Sequence, residues 1–211
     1  MLEINKWYFK YNNDWLKAEV PGNNFSDLLS NNIIPDPFYG TNEDSVQWVA
    51  KREWVYKSNF RLSKKFLQKD KHEIVFNGLD TYAQVYLNDS LILKSNNMFR
   101  TWVLNLNNIL KEQNSLVVKF APTSLHEKNK EINLGYKLPG GGKVHTRKAG
   151  FHYGWDWGPK ITVSGIWKPI TIKGYNKSSI NDIYIQQKEI LDSLAKLQIN
   201  LELEIIDDGA Y

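Results

Sequence analysis

Leu197, Ile199, Leu201, Leu203 and Ile205 alternate strictly with Gln198, Asn200, Glu202 and Glu204. That pattern fits a strand and no helix, because side chains alternate faces with period two along a strand and repeat every ~3.6 residues along a helix. The same period recurs through most of the chain. Trp54, Tyr56, Phe60 and Leu62 share one parity, with Lys57, Asn59 and Arg61 on or next to the other. Residues 73–78, 81–87, 102–106, 116–120 and 165–172 read as further strands. Asn88-Asp89 reads as a two-residue turn, with 90–94 as the return strand of a hairpin. Helical patterns are few: Asp27-Leu28-Leu29 and Ile109-Leu110-Lys111 read as single turns at most. Many short strands separated by turn signals predict an all-β fold, a β-sandwich or jelly roll. The scarcity of helices argues against a parallel α/β architecture, and no solenoid or propeller period is present.

With 211 residues the chain can hold one large β domain, or one domain and part of a second. It has no cysteine, which excludes disulfides, thiolate metal sites and Cys nucleophiles. The 27 basic and 23 acidic residues leave a scattered excess of +4, so nucleic acid is not expected as a partner. The start, Met1 to Trp7, lacks an apolar signal core, and no run approaches the ~18 apolar residues of a membrane helix. A soluble, cytoplasmic protein with no membrane partner is expected.

The strict alternation at 197–205 ends at Asp207-Asp208-Gly209, a turn signal, and the sequence closes at Tyr211. Ile183-Tyr184-Ile185 can pair with it, but two strands make no stable sheet alone. Periodicity leaves 189–196 open between a helical turn and a loop. The expected organisation is one domain over 1–177 and an incomplete second β domain over 178–211, the whole being a fragment of something longer.

Two long segments carry the unusual residues. Residues 30–50 hold Ile34-Pro35-Asp36-Pro37-Phe38-Tyr39-Gly40. Residues 121–160 run through Gly140-Gly141-Gly142 to Gly154-Trp155-Asp156-Trp157-Gly158-Pro159, and are too aromatic for disorder. Trp155, Asp156 and Trp157 form the most informative site. Indole rings stack on the C–H face of a pyranose, and an ionised Asp accepts two strong hydrogen bonds from its hydroxyls. All three reach one ligand only if the loop is bent, which its glycines permit. The other reading puts the two indoles in the core with Asp156 capping a turn.

Other motifs are weaker. His72, His126, His145 and His152 lack metal spacing, so no metal or cofactor is expected; His145 and His152 flank the aromatic loop as minor ligand-contact candidates. Gly140-Gly141-Gly142-Lys143 is followed by Val144, not the Ser or Thr of a phosphate loop, and reads as a flexible loop. Val163-Ser164-Gly165 lacks the first glycine of a nucleophile elbow. Glu43, after Asn42, invites a glycosidase reading, but a retaining mechanism takes two carboxyls ~5 Å apart and nothing pairs with it. A solvated loop acid is expected.

Several stretches together resemble the opening of β-mannosidases of glycoside hydrolase family 2. They are Trp7-x-Phe9, Trp15-x-x-Ala18-x-Val20-Pro21-Gly22, Asp27-Leu28, Ile34 to Gly40 with Asn42-Glu43, Gln47-Trp48-Val49 and Trp54-x-Tyr56-x-x-x-Phe60. The most specific runs from Arg147-Lys148-Ala149 through His152 to Pro159 and on to Ser164-Gly165-Ile166-Trp167-Lys168-Pro169. The resemblance extends to about residue 175. It implies a galactose-binding-domain-like jelly roll, followed by an immunoglobulin-like domain and an (α/β)8 barrel bearing two catalytic Glu. It also implies that Trp155, Asp156 and Trp157 contact a terminal β-mannoside or manno-oligosaccharide, that no catalytic residue lies in this chain, and that the parent's own barrel is the partner. Relatives commonly carry His where this chain has Phe25.

Overall fold

The structure, a computed structural model, describes residues 1–206. The expected Asp207-Asp208-Gly209 turn and Tyr211 lie outside the described residues. Two antiparallel sheets face each other. One has six strands in the order Asp14–Ala18, Trp7–Tyr11, Trp54–Arg61, Gln113–Phe120, Tyr82–Leu87 and Ser90–Asn96. The other has four, in the order Leu2–Glu3, Ile170–Tyr175, Lys71–Phe76 and Trp102–Asn105. The inward parity supplies the core: Trp7, Phe9, Trp54, Tyr56, Leu116 and Phe120 from the first sheet meet Ile74, Phe76, Ile170 and Ile172 from the second. Tyr56 and Phe120 pack edge to face at 5.8 Å. Each such side chain contributes about 1.5–3 kcal/mol by leaving water, which is why the alternation dictates the register.

Asn88 and Asp89 both take positive φ, +50° and +67°, as a mirror-image hairpin turn requires. The strand expected over 165–172 is broken at Lys168-Pro169: Gly165–Ile166 pairs with Leu79–Asp80, and Ile170–Tyr175 joins the four-stranded sheet. Asp27-Leu28-Leu29 belongs to a full helix, Asn24–Ser30, capped by the Asn23 side chain, which accepts from the N–H groups of Phe25 and Ser26. Ile109-Leu110-Lys111 forms no helix. Besides the one-turn helices Asn42–Ser45 and Lys64–Leu67, a longer helix escapes the periodicity argument, Thr123–Leu134. It is polar nearly all round, so it has no apolar stripe to detect. Its ends carry a signal nonetheless, Pro122 before it and Gly135 at φ +78° after it.

Val20-Pro21-Gly22 and Ser164-Gly165-Ile166 are docked on one another. The Gly22 N–H donates to the Ile166 carbonyl (2.9 Å), the Asn24 N–H to the Ser164 carbonyl (2.9 Å), and the Ser164 N–H to Asn24 Oδ1 (2.9 Å). A side chain at Gly165 would stand 2.6 Å from the Gly22 carbonyl oxygen and 2.7 Å from the Asn23 Cα. Asp27, on the same helix, accepts from the Glu19 N–H and the Tyr56 hydroxyl, each at 2.8 Å. Burial pushes its carboxyl up to about 6.

Residues 178–205 stand apart as a two-stranded hairpin, Ser178–Leu191 with Leu194–Ile205. The stretch 189–196 is its tip, neither helical nor a loop of its own. Ile185 faces Ile199 and Ile183 faces Leu201 across the pair, all half-exposed. Glu204 accepts from Lys71 and from the Tyr175 hydroxyl of the sandwich.

Because backbone, not a yielding side chain, opposes a Cβ at Gly165, Gly165→Ala is expected to lower unfolding free energy by about 1–3 kcal/mol. Urea unfolding checks this.

Candidate functional site

Between Phe120 and Thr162 the chain leaves the sandwich, and three sets of polar contacts hold that excursion. Glu127, on the Thr123–Leu134 helix, accepts from Thr146 Oγ1 (3.1 Å) and from the Tyr153 hydroxyl. Burial and that carboxylate push the Tyr153 phenol well up. The expected flexible Gly140-Gly141-Gly142 loop is instead a packed 3-10 turn, Gly141–His145, whose Gly142 rests against Glu127. Glycine is needed at 140 and 141, where φ is +90° and +65°.

The second set is buried. Lys148 Nζ, fully enclosed, donates to Asp80 Oδ2 (2.5 Å) and to the Val163 carbonyl (2.6 Å). Burial pulls its ammonium below the usual lysine range, against the opposing pull of Asp80. His152 Nδ1 lies 3.5 Å from the same Asp80 oxygen. Burial and then the Lys148 charge push this imidazole down to about 4. His152 is therefore neutral in the folded protein, part of the loop's footing. His145 lies in the 3-10 turn, its Nε2 buried without a hydrogen bond.

The third set involves Glu43 and Gln47. Glu43 Oε1 accepts from the Lys160 N–H at 2.6 Å, and Gln47 Nε2 donates to the Lys160 carbonyl at 2.8 Å. Glu43 is thus half-buried and bonded, not the free loop acid its surroundings in sequence predict. The partner lies 117 residues away, beyond any local pattern.

These contacts carry a tight turn. The Trp155 N–H donates to the Gly158 carbonyl (3.0 Å) and the Gly158 N–H returns to the Trp155 carbonyl (3.2 Å), leaving Asp156-Trp157 at the corner. Gly154 enters it at φ +79°. Trp155 is 62% exposed, Trp157 85%, and Asp156 is exposed as well. The indoles meet in a T-shape with centroids 5.9 Å apart. The trio is therefore displayed at the surface on a bent loop. Beside it lies an apolar hollow of about 440 Å³ lined by Phe25, Leu29, Phe38, Phe151, Pro159 and Ile161. Phe38 and Phe151 add exposed rings that the sequence pattern did not single out. Among the described residues no group of three or more His, Asp or Glu is placed to hold a metal, and no helix is long and apolar enough to cross a membrane.

Two facing antiparallel sheets with this strand order define a jelly-roll β-sandwich of the galactose-binding-domain-like class. The family described as glycosyl hydrolase 2 galactose-binding domain-like matches residues 7–168, and the chain belongs to it. Among curated relatives, β-mannosidase B of Thermothelomyces thermophilus is 35% identical over 175 residues, covering 80% of this chain and 20% of that protein. The β-mannosidase of Capra hircus is 34% identical over 200 residues, covering 90% and 22%. The crystal structure of β-D-mannosidase from Dictyoglomus thermophilum superposes with a TM-score of 0.89 at 38% identity, covering 97% of this chain and 26% of that one. The exo-chitosanase of Amycolatopsis orientalis, at 15% identity and a TM-score of 0.73 over 96% of this chain and 24% of its own, shares the fold. The chain spans about a fifth to a quarter of the length of these relatives.

The buried charges of the loop's footing and of the N-terminal helix both bear on stability. Lys148→Met strands Asp80 without its counter-ion, and the expected cost is about 3–5 kcal/mol in chemical denaturation. The unfolded chain protonates His152 at its ordinary 6.5, while the folded one resists until about 4. Between those values the unfolded state holds more protons, so this group's contribution to stability declines as pH falls from 6.5 to 4. Asp27 acts oppositely, its folded value of about 6 lying above its ordinary 3.8, so its contribution declines as pH rises between them. His152→Leu is expected to make the stability–pH slope in that window more negative, and Asp27→Asn more positive.

Proposed function

We propose that this chain is the sugar-recognition domain of an exo-acting, retaining β-mannosidase that removes terminal β-D-mannose from non-reducing ends. Trp155, Asp156 and Trp157 contact the terminal sugar, and a barrel elsewhere in the longer protein supplies the nucleophile and the acid/base. The observation that carries this reading is the exposed two-indole turn with a carboxylate at its corner, in a chain 38% identical to a β-mannosidase of known structure. The likeness to several β-mannosidases supports the substrate class.

In this reading the turn stacks indole on the apolar face of mannose, and Asp156 accepts from its hydroxyls. Such contacts accelerate hydrolysis to the extent that they strengthen as the ring distorts toward the oxocarbenium-like transition state. Bond cleavage itself takes a pair of carboxyls about 5–5.5 Å apart. The Glu43 carboxylate is occupied by the Lys160 backbone, and Asp156 stands on an exposed turn, which supports assigning the pair to the barrel. The Ser178–Leu191 and Leu194–Ile205 hairpin, with its apolar cross-strand face, is the start of the immunoglobulin-like domain between the two.

A second reading is a free-standing lectin-like module, and the accessibility of the turn in this chain favours it to that extent. Calorimetry with mannose separates the two. Half a site binds too weakly to register, whereas clear binding abolished by Asp156→Ala supports the module.

The purified 211-residue chain is expected to release no p-nitrophenol from p-nitrophenyl β-mannoside; steady release contradicts the assignment of catalysis elsewhere. In the longer polypeptide bearing the barrel, Asp156→Ala is expected to lower kcat/KM about 10- to 100-fold, the worth of a charge-assisted hydrogen bond.

A further inference from the structure

We infer that Glu43 and Gln47 are positioning residues for the aromatic turn, a clamp that fixes the direction in which Trp155 and Trp157 point. Its consequence for catalysis rests on the sugar-contact reading above; the clamp itself does not. The clamp acts at the neck of the turn. Gly154 and Lys160 are its two feet, and they touch: a Cβ at Gly154 would lie 3.0 Å from the Lys160 Cβ and 3.2 Å from the Lys160 nitrogen. A foot so close to its partner sets the tilt of everything between. Both backbone polar groups of Lys160 are then taken by one neighbouring segment, the N–H by Glu43 Oε1 and the carbonyl by Gln47 Nε2. Two bonds to opposite sides of one residue fix its orientation as well as its place.

The clamp segment is itself immobilised. Val46 and Val49 are fully buried in the core, and the Val49 carbonyl accepts from the Trp54 indole N–H at 2.8 Å. Trp48 packs on Trp54 and Tyr11 at 6.1 and 6.3 Å between centroids, with the Arg52 guanidinium 5.4 Å from both the Trp48 and Tyr11 rings. Asp36 and Asn42 fold the preceding stretch back on itself, the Phe38 N–H donating to Asp36 Oδ1 and Asn42 Nδ2 to the Asp36 carbonyl, each at 2.9 Å. The sandwich core thus reaches the exposed turn through Val46 and Val49, then Glu43 and Gln47, then Lys160.

The test uses the 211-residue chain with 5-fluorotryptophan in place of its 8 Trp, each ¹⁹F resonance assigned by a single Trp→Phe change. Glu43→Ala is expected to move the Trp155 and Trp157 resonances toward the free-indole position, leaving Trp7 and Trp54 in place and the thermal midpoint unchanged. Gln47→Ala is expected to do the same. Glu43→Gln keeps an oxygen acceptor and is expected to restore both resonances. If the Trp155 and Trp157 signals stay in place in both alanine variants, or move as far in Glu43→Gln as in Glu43→Ala, the clamp is overturned. A parallel assay on the barrel-bearing polypeptide distinguishes the two ideas. With both correct, Glu43→Ala lowers kcat/KM on a β-mannoside about 10- to 100-fold and Glu43→Gln restores it. Displaced indoles with unchanged kcat/KM leave the clamp standing and remove the sugar-contact reading.

Discussion

An ammonium group sealed from water is costly, on the order of several kcal/mol even after relaxation, and Lys148 is sealed completely. It is tolerated because Asp80 and the Val163 carbonyl stand within hydrogen-bond distance. Those partners come from different places. Asp80 lies on the Leu79–Asp80 strand, which pairs with Gly165–Ile166, and Gly165 is pressed against Gly22 and Asn23. One ion pair therefore couples the long excursion, the small sheet and the N-terminal helix.

This coupling explains how an exposed turn can still be well defined. Trp155 and Trp157 are exposed, and the legs of their turn are held from below, by His152 and Lys148 on one side and by Lys160 on the other. Under the proposed function, a turn held this way would present its indoles to a sugar with less conformational freedom left to lose. The apolar hollow beside it has the exposed rings of Phe38 and Phe151 among its lining residues.

The sandwich was legible because its driving force is local in sequence. The parity of Trp54, Tyr56, Phe60 and Leu62 against Lys57, Asn59 and Arg61 specifies which face is buried, and Asn88-Asp89 specifies a turn by its tolerance of positive φ. The Thr123–Leu134 helix was not legible by the same route, since it sits on the surface with no apolar stripe, and only its Pro and Gly ends announce it. The trio at 155–157 could be named from composition, but whether it faced the core or the solvent depended on a turn closed by backbone hydrogen bonds between Trp155 and Gly158. The pairings that support it join Lys148 to Asp80 across 68 residues and Glu43 to Lys160 across 117, and no spacing rule reaches so far.

In the proposed function this domain presents a prebuilt indole–carboxylate–indole surface to a terminal mannose. Saturation-transfer NMR on the barrel-bearing polypeptide with methyl β-D-mannoside tests it most directly, with saturation placed on the aromatic protons. The account predicts strong transfer to the ring protons of the sugar's apolar face, collapsing in a Trp155→Ala, Trp157→Ala double variant that still binds through the barrel. Equal transfer in the variant and the parent contradicts it.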